Sequence, residues 1–381
     1  MYLKASLFFL LVFSSTVSFG QNIDFTKQST LGNLFIRMYG EVHYIQPVTS
    51  GIADQGEIDA QRIVALFGYQ FDRKTQFVTE WELEHADEIF LEQAFIKHRV
   101  ANNLSIKAGM ILIPMGLVNE YHEPNNFYSV DRPLIDRVLV PTTWRDIGIG
   151  ITGLMPASNL RYQLYLVNGF LSYSDGNALF NSRTNFRSGR QKGSQGIFSG
   201  APGISGQLEY FGFENGKIGI SAYSGRSNST AFDGIDTSDE SLVSFADSTT
   251  VYTNMIGLHG SFTFDKLTLK SQLIFAVNGN VDEYNAVGNT DLGRSSIGGY
   301  AELGYPLDEK DKWFVFGRYS YLDSLLNIGN VNGINQGQNH ILTTGINYFA
   351  AKGAVFKLDG QWTNLNADSQ FIISSGIGVW F

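Results

Sequence analysis

The chain has 381 residues, with 27 Lys+Arg against 36 Asp+Glu and a formal net charge of −9. That balance, with no basic stripe, excludes an electrostatic nucleic-acid binder. The absence of Cys excludes disulfides and thiolate chemistry.

In chain order, Lys4 is followed by an apolar run at 7–13 and by the small residues Ser18 and Gly20 before Gln21. This pattern predicts a secretory signal peptide over 1–20, leaving 21–381 as a single domain. The run is shorter than the roughly 20 residues of a membrane-spanning helix.

Sixteen candidate strands follow, at about 35–46, 58–71, 75–85, 88–100, 104–113, 145–154, 160–170, 203–213, 217–225, 250–264, 267–278, 294–305, 312–322, 338–349, 354–363 and 369–381. Their period is two. The second places Ile63, Ala65, Phe67, Tyr69 and Phe71 on one face, and the eleventh Leu267, Leu269, Ser271, Leu273, Phe275 and Val277. The last shows Phe371, Ile373, Ser375, Ile377, Val379 and Phe381. Opposite faces carry Arg62, Lys270, Gln272, Glu302, Lys357 and Asp359. A charge at mid-bilayer costs about 2–4 kcal/mol, so a lipid–water boundary selects this separation.

Connections alternate between two kinds. Tight turns lie near 72–75, 101–103, 155–159, 214–216, 265–266, 306–311 and 350–353, with turn chemistry such as Asn102-Asn103 and Asn215-Gly216. Long polar segments occupy 47–57, 114–144, 171–202, 226–249, 279–293 and 323–337, while 86–87 and 364–368 are short. Aromatic residues, among them Tyr69, Phe213, Phe264, Tyr305 and Trp313, gather at the turn side like an interfacial girdle. The expected fold is all-β: a transmembrane antiparallel β-barrel of about sixteen strands, with short periplasmic turns, long extracellular loops and the third loop folded into the lumen. Its expected location is the outer membrane of a Gram-negative cell, among lipid and lipopolysaccharide.

A sixteen-stranded barrel is wide enough for an aqueous channel. The third loop, 114–144, has apolar residues to pack with and a mixture of charges to set a field across the hole. Glu120, His122, Glu123, Asp131, Arg132, Asp136 and Arg137, followed by Arg145, are the expected constriction residues. Arg132, Arg137 and Arg145 are the expected anion contacts. The lumen wall is expected to present Arg37, Arg62, Glu80, Glu82, Glu84, Lys97, Arg161 and Arg318. The glutamate row reads either as a cation path or weak calcium site, or as a solvated wall balanced by Lys97 or Arg99. Arg183, Arg187, Arg190 and Lys192 make the fourth outer loop basic. No His pair has metal-ligand spacing and no nucleotide or cofactor motif is present, so neither enzyme activity nor a cofactor is expected.

Lys107-Ala108-Gly109, continuing through Ile111-Leu112-Ile113-Pro114-Met115-Gly116 and, beyond the loop, Arg145-Asp146-Ile147-Gly148, resembles the phosphate-selective porin O/P family, especially its Bacteroidetes-type relatives. The likeness is clearest over about 88–170. It implies a sixteen-stranded, commonly homotrimeric channel with its third loop inside, recruiting phosphate through pore arginines. Phe381 resembles the terminal aromatic read by the barrel-assembly machinery. Here Arg37, Arg62, Arg161 and Arg318 are scattered along the chain rather than grouped. The expected function is passive diffusion of small hydrophilic solutes, with anions such as phosphate among them. The alternatives are a docking barrel that holds a partner protein and a barrel-embedded hydrolase.

Overall fold

A computed structural model of the protein describes residues 32–193, 196–326, 337–365 and 368–381. The expected signal peptide and the centres of the loops at 323–337 and 364–368 lie outside the described residues.

Alternating side chains drive sixteen long strands. The first four are β1 (Leu34–Thr49), β2 (Glu57–Gln70), β3 (Thr75–Glu84) and β4 (Glu88–Ala101). β5 (Leu104–Leu112), β6 (Arg145–Met155), β7 (Leu160–Val167) and β8 (Gly203–Phe213) follow. Next come β9 (Gly216–Arg226), β10 (Tyr252–Phe264), β11 (Leu267–Gly279) and β12 (Ser295–Pro306). β13 (Trp313–Leu326), β14 (Gln338–Ala351), β15 (Ala354–Leu365) and β16 (Asp368–Trp380) complete the set. Each strand pairs antiparallel with its successor. β1 pairs with both β2 and β16, placing Tyr39 opposite Val64 on one side and Trp380 on the other. The sheet is therefore closed and has no free edge.

Side-chain phase agrees with the sequence pattern. On β11, Gln272 and Ile274 are buried inside, whereas Leu273 between them is 47% exposed on the outer surface. Leu258, Leu303, Leu342 and Leu358 extend that outer apolar band. Aromatic rings meet at the turn end: Phe213 and Phe262 lie 5.3 Å apart, and Trp313 and Tyr348 4.6 Å apart. No helix among the described residues is long and apolar enough to cross a membrane.

β7 ends at Val167, short of the expected 170. Phe170 instead turns inward and stacks on Trp144 at 4.3 Å. The outer loops expected at 226–249 and 279–293 are also partly helical, with helices at Glu240–Ser248 and Val281–Gly288. Asp239 caps the first by accepting from the Ser241 and Leu242 amides. A small sheet of Leu171–Ser174, Asn177–Ala178 and Asn228–Ser229 joins them. Phe180, Phe186 and Tyr284 pack beneath these pieces, and the Tyr284 hydroxyl donates to Ser172 O at 2.8 Å. The outer loops thus share one apolar core with the end of the third loop, at the loop end of the barrel.

Gly109 is the point of the Lys107-Ala108-Gly109 run that demands glycine. Its φ is +130°, and a Cβ there would stand 2.8 Å from Phe95 Cα on the neighbouring strand.

Candidate functional site: the loop-filled lumen

The third loop lies inside the barrel. Asn119 draws its two ends together, donating to Ile113 O at 2.7 Å and Trp144 O at 2.9 Å and accepting from Trp144 N at 2.7 Å. From that neck the loop runs along the inner wall. Leu117 N donates to Gln272 Oε1 at 2.5 Å, and Lys270 Nζ donates to Asn126 O at 2.8 Å. Asn347 donates to Tyr128 O, and Arg318 to Ser129 Oγ at 2.6 Å. Lys357 Nζ donates to the carbonyls of Pro124, Phe127 and Ser129 at 2.7, 2.9 and 3.1 Å. A short helix at Ile135–Val138 turns the chain back, and Gln272 donates to Asp136 at 2.9 Å. The polar inner face of the wall thus satisfies loop carbonyls and amides that the loop's own turns leave over, as buried backbone requires.

The opposite wall is acidic. Glu41, Glu80 and Glu82 are buried on the inward phase, with Glu84 half-buried beside them. Arg62 serves three of them: Glu82 at 3.0 Å, Glu41 at 3.5 Å and Glu84 at 3.8 Å. The expected balance by Lys97 or Arg99 does not occur. Arg99 donates to Arg73 O, and Lys97 lines a small turn-side cavity with Lys107, Arg161, Gln76, Glu120 and Gln163. Gln76, not a glutamate, is Lys97's register partner on β3.

The loop turns cations toward the acidic wall. Arg132 donates to His122 O at 2.9 Å, and no carboxylate lies within 4 Å of its guanidinium among the described residues. Arg137 pairs with Asp131 at 3.0 Å, and Asp131 stands 3.9 Å from His43. Arg190 reaches in from the fourth loop to Thr142 O at 2.8 Å, and burial lowers its pKa to about 10. Lys192 lies over the Phe90 ring, while Arg183 and Arg187 stay exposed.

The other expected constriction residues are held by partners in the loop and the wall. Asp136 is fully buried in the seam between loop and wall, where burial raises its pKa to about 7. Glu120 faces the turn side and pairs with Arg161 at 3.3 Å. Glu123 accepts from Asn126 within the loop. His122 is buried against Glu92 at 3.2 Å. Burial alone would lower its pKa, but the Glu92 carboxylate outweighs that and raises it to about 9. Arg145 is buried 4.0 Å from the same carboxylate. Among the wall residues, Arg37 sits exposed on the inward phase near the turn end. Arg161 also pairs with Glu209 at 2.8 Å, and Arg318 with Glu302 at 3.1 Å.

Glu92 escaped the sequence reading. A bulge sets Glu80 opposite Gln93 and Trp81 opposite Leu91, leaving Glu92 as the extra residue. Strict alternation hides such a residue, and the only local signal is the Glu92-Gln93 pair inside an apolar strand.

A closed sixteen-stranded barrel with a loop docked in its lumen is the fold of outer-membrane porins. No family model matches the chain. A protein of Aquifex aeolicus (strain VF5) described as uncharacterized is 34% identical over 193 residues, covering 49% of this chain and 42% of its own length. The chain thus spans less than half of that relative. Among solved structures, the anion-selective porin from Comamonas acidovorans superposes with a TM-score of 0.58 at 10% identity, over 91% of this chain and 100% of its own. Pseudomonas putida OprB gives 0.57 at 10% identity, over 92% and 94%. The trimer form of OmpT, an outer membrane protein of Vibrio cholerae, gives 0.55 at 11% identity, over 91% and 99%.

Proposed function

We propose that this protein is an outer-membrane porin, a passive channel for small hydrophilic solutes narrowed by its third loop. The carrying observation is the docking of that loop on the inner wall through Gln272, Arg318 and Lys357, which leaves its cationic edge opposite the glutamate wall. A solute passing the part-exposed charges, Arg137 with Asp131 on the loop and Glu84 on the wall, meets a transverse field. The field orients dipolar molecules.

Most wall arginines already hold carboxylates: Arg62, Arg161 and Arg318 are each ion-paired. Preference for anions such as phosphate therefore rests on Arg132, on Arg137 in its half-exposed pair with Asp131, and on Arg145 behind them. That is a weaker attraction than an unpaired arginine ladder. The resemblance to the phosphate-selective porin O/P family supports the channel reading more than the phosphate reading.

The same reading places residues 1–20 as the export signal, the turns in the periplasm and the long loops outside, facing lipopolysaccharide. It takes the protein to be a homotrimer inserted by the assembly machinery through the strand ending at Phe381. The test is recording from purified protein in planar lipid bilayers, followed by reversal potentials in a salt gradient with and without phosphate. Stepwise conductance with weak ion preference is expected; a protein that inserts and passes no current would end this proposal.

A further inference from the structure

We propose that Glu80, Glu92 and His122 form a buried site for one divalent metal ion of the zinc class, which staples the third loop to the barrel wall. The three residues come from β3, the β4 bulge and the loop, and all are buried. Their ligand atoms lie within 4.8 Å of one another. Two ligands about 2.1 Å from a tetrahedral ion stand roughly 3.4 Å apart, so small side-chain rotations close the set.

The surroundings are those of a ligand set. His122 Nδ1 faces Asn119 O at 3.0 Å, and donation there holds the ring so that an ion displacing the Nε2 proton from its contact with Glu92 finds that lone pair turned to the carboxylates. Gln93 Nε2 holds Glu80 at 2.5 Å. Beside the set the buried Tyr39 hydroxyl has no hydrogen-bond partner. Tyr39 is 6% exposed, its ring edge meets the His122 ring at 6.1 Å, and the charges acting most strongly on its hydroxyl are those of Glu92 and Glu80. A water bound to a metal ion would satisfy that hydroxyl.

Charge balance points the same way. Arg62 is shared among Glu41, Glu82 and Glu84. Among the described residues no Lys or Arg lies within 4 Å of Glu80, and Arg145 reaches Glu92 only at 4.0 Å. Glu82 lies carboxyl to carboxyl against Glu92, and the two share a proton where no further cation is bound. One imidazole nitrogen with two carboxylate oxygens suits zinc or a neighbouring first-row ion, while calcium and magnesium prefer oxygen alone. An ion here would join two strands to the loop and so fix the constriction, whatever passes through it.

The test uses the full-length protein, purified in detergent, stripped with EDTA and titrated with zinc chloride against a chromophoric chelator. One zinc per chain is expected. H122A and E92Q should each weaken binding at least 100-fold, and Y39F about 10-fold. E88Q, at the exposed start of the same strand, should leave it unchanged. Crystals of the unsubstituted protein grown with zinc should show an anomalous peak between His122 Nε2 and the two carboxylates, a readout independent of whether any variant folds. No stoichiometric zinc, full affinity in both H122A and E92Q, or a peak elsewhere would each overturn the proposal.

Discussion

Val130 donates its backbone N–H to Asp359 Oδ2 at 2.6 Å, joining the middle of the third loop to a strand 229 positions away in the chain. Lys357, on the same inward face, grips three carbonyls of the same turn. Together they form a two-signed clamp, with the acid taking an amide and the ammonium taking carbonyls. Each backbone group left buried without a partner costs about 1–3 kcal/mol. K357M and D359A should therefore free the loop edge without unfolding the barrel. The expected readouts are faster protease cleavage within 114–144 and noisier open-channel current, with the heat-modified electrophoretic shift of the folded barrel retained. A variant as protease-resistant as the parent would show that the clamp does not hold the loop.

Loop docking should depend on pH through Asp136. Its neighbours are Gln272, which donates to it, Tyr300 and Glu302 on β12, Arg318 on β13, and Arg132 and Thr142 within the loop. Burial raises its pKa to about 7 from 3.8. The docked state therefore favours the neutral acid. Its contribution is complete below about pH 4 and is lost as pH rises through about 7. Channel fluctuation attributable to the loop should grow from pH 5 to pH 8. D136N, an amide that cannot ionise, should abolish that rise and keep the low-pH behaviour; an unchanged pH profile in D136N would assign the transition to another group.

The barrel was legible because lipid imposes a strict rule on every second residue. Leu267, Leu269 and Leu273 obey it on one face while Lys270 and Gln272 occupy the other, and register follows from phase. The inward loop was legible from its unusual length and its apolar residues, such as Leu139 and Trp144, which do pack inside. Partners within the lumen were not legible. Whether Glu80 faces Arg62 or His122 depends on a bulge at Glu92 and on where Asn119 pinches the loop. Neither leaves a periodic trace. The helices at 240–248 and 281–288 were missed because the first buries Ala246 alone and the second Val281 and Tyr284, too few apolar positions to print a helical period.

Arg132 and the glutamate wall should have opposite effects on ion preference. A single charge a few ångströms from a permeating ion is worth about 1 kcal/mol at water-like dielectric, or roughly fivefold in relative permeability. R132Q should shift the reversal potential in a potassium chloride gradient toward cation preference by about that factor. E84Q, on the half-exposed rim of the wall, should shift it the other way and by less, because Arg62 and solvent already screen Glu84. Shifts of the same sign in both variants would contradict the transverse arrangement.

The outer apolar band yields a depth-dependent test. Leu273 lies near the middle of β11 and Leu267 at its turn end, both on the outer face. Arginine at the bilayer midplane costs about 2–4 kcal/mol, and near the interface about 0–1 kcal/mol, because a long side chain can reach headgroups and water only from the edge. L273R should therefore lower unfolding stability in lipid vesicles by the larger amount and L267R by little, with urea or guanidinium as denaturant. In detergent, whose micelle deforms around the charge, the gap between the two should shrink. Equal costs in vesicles would mean that this face does not meet hydrocarbon, and the strand phase would need another explanation.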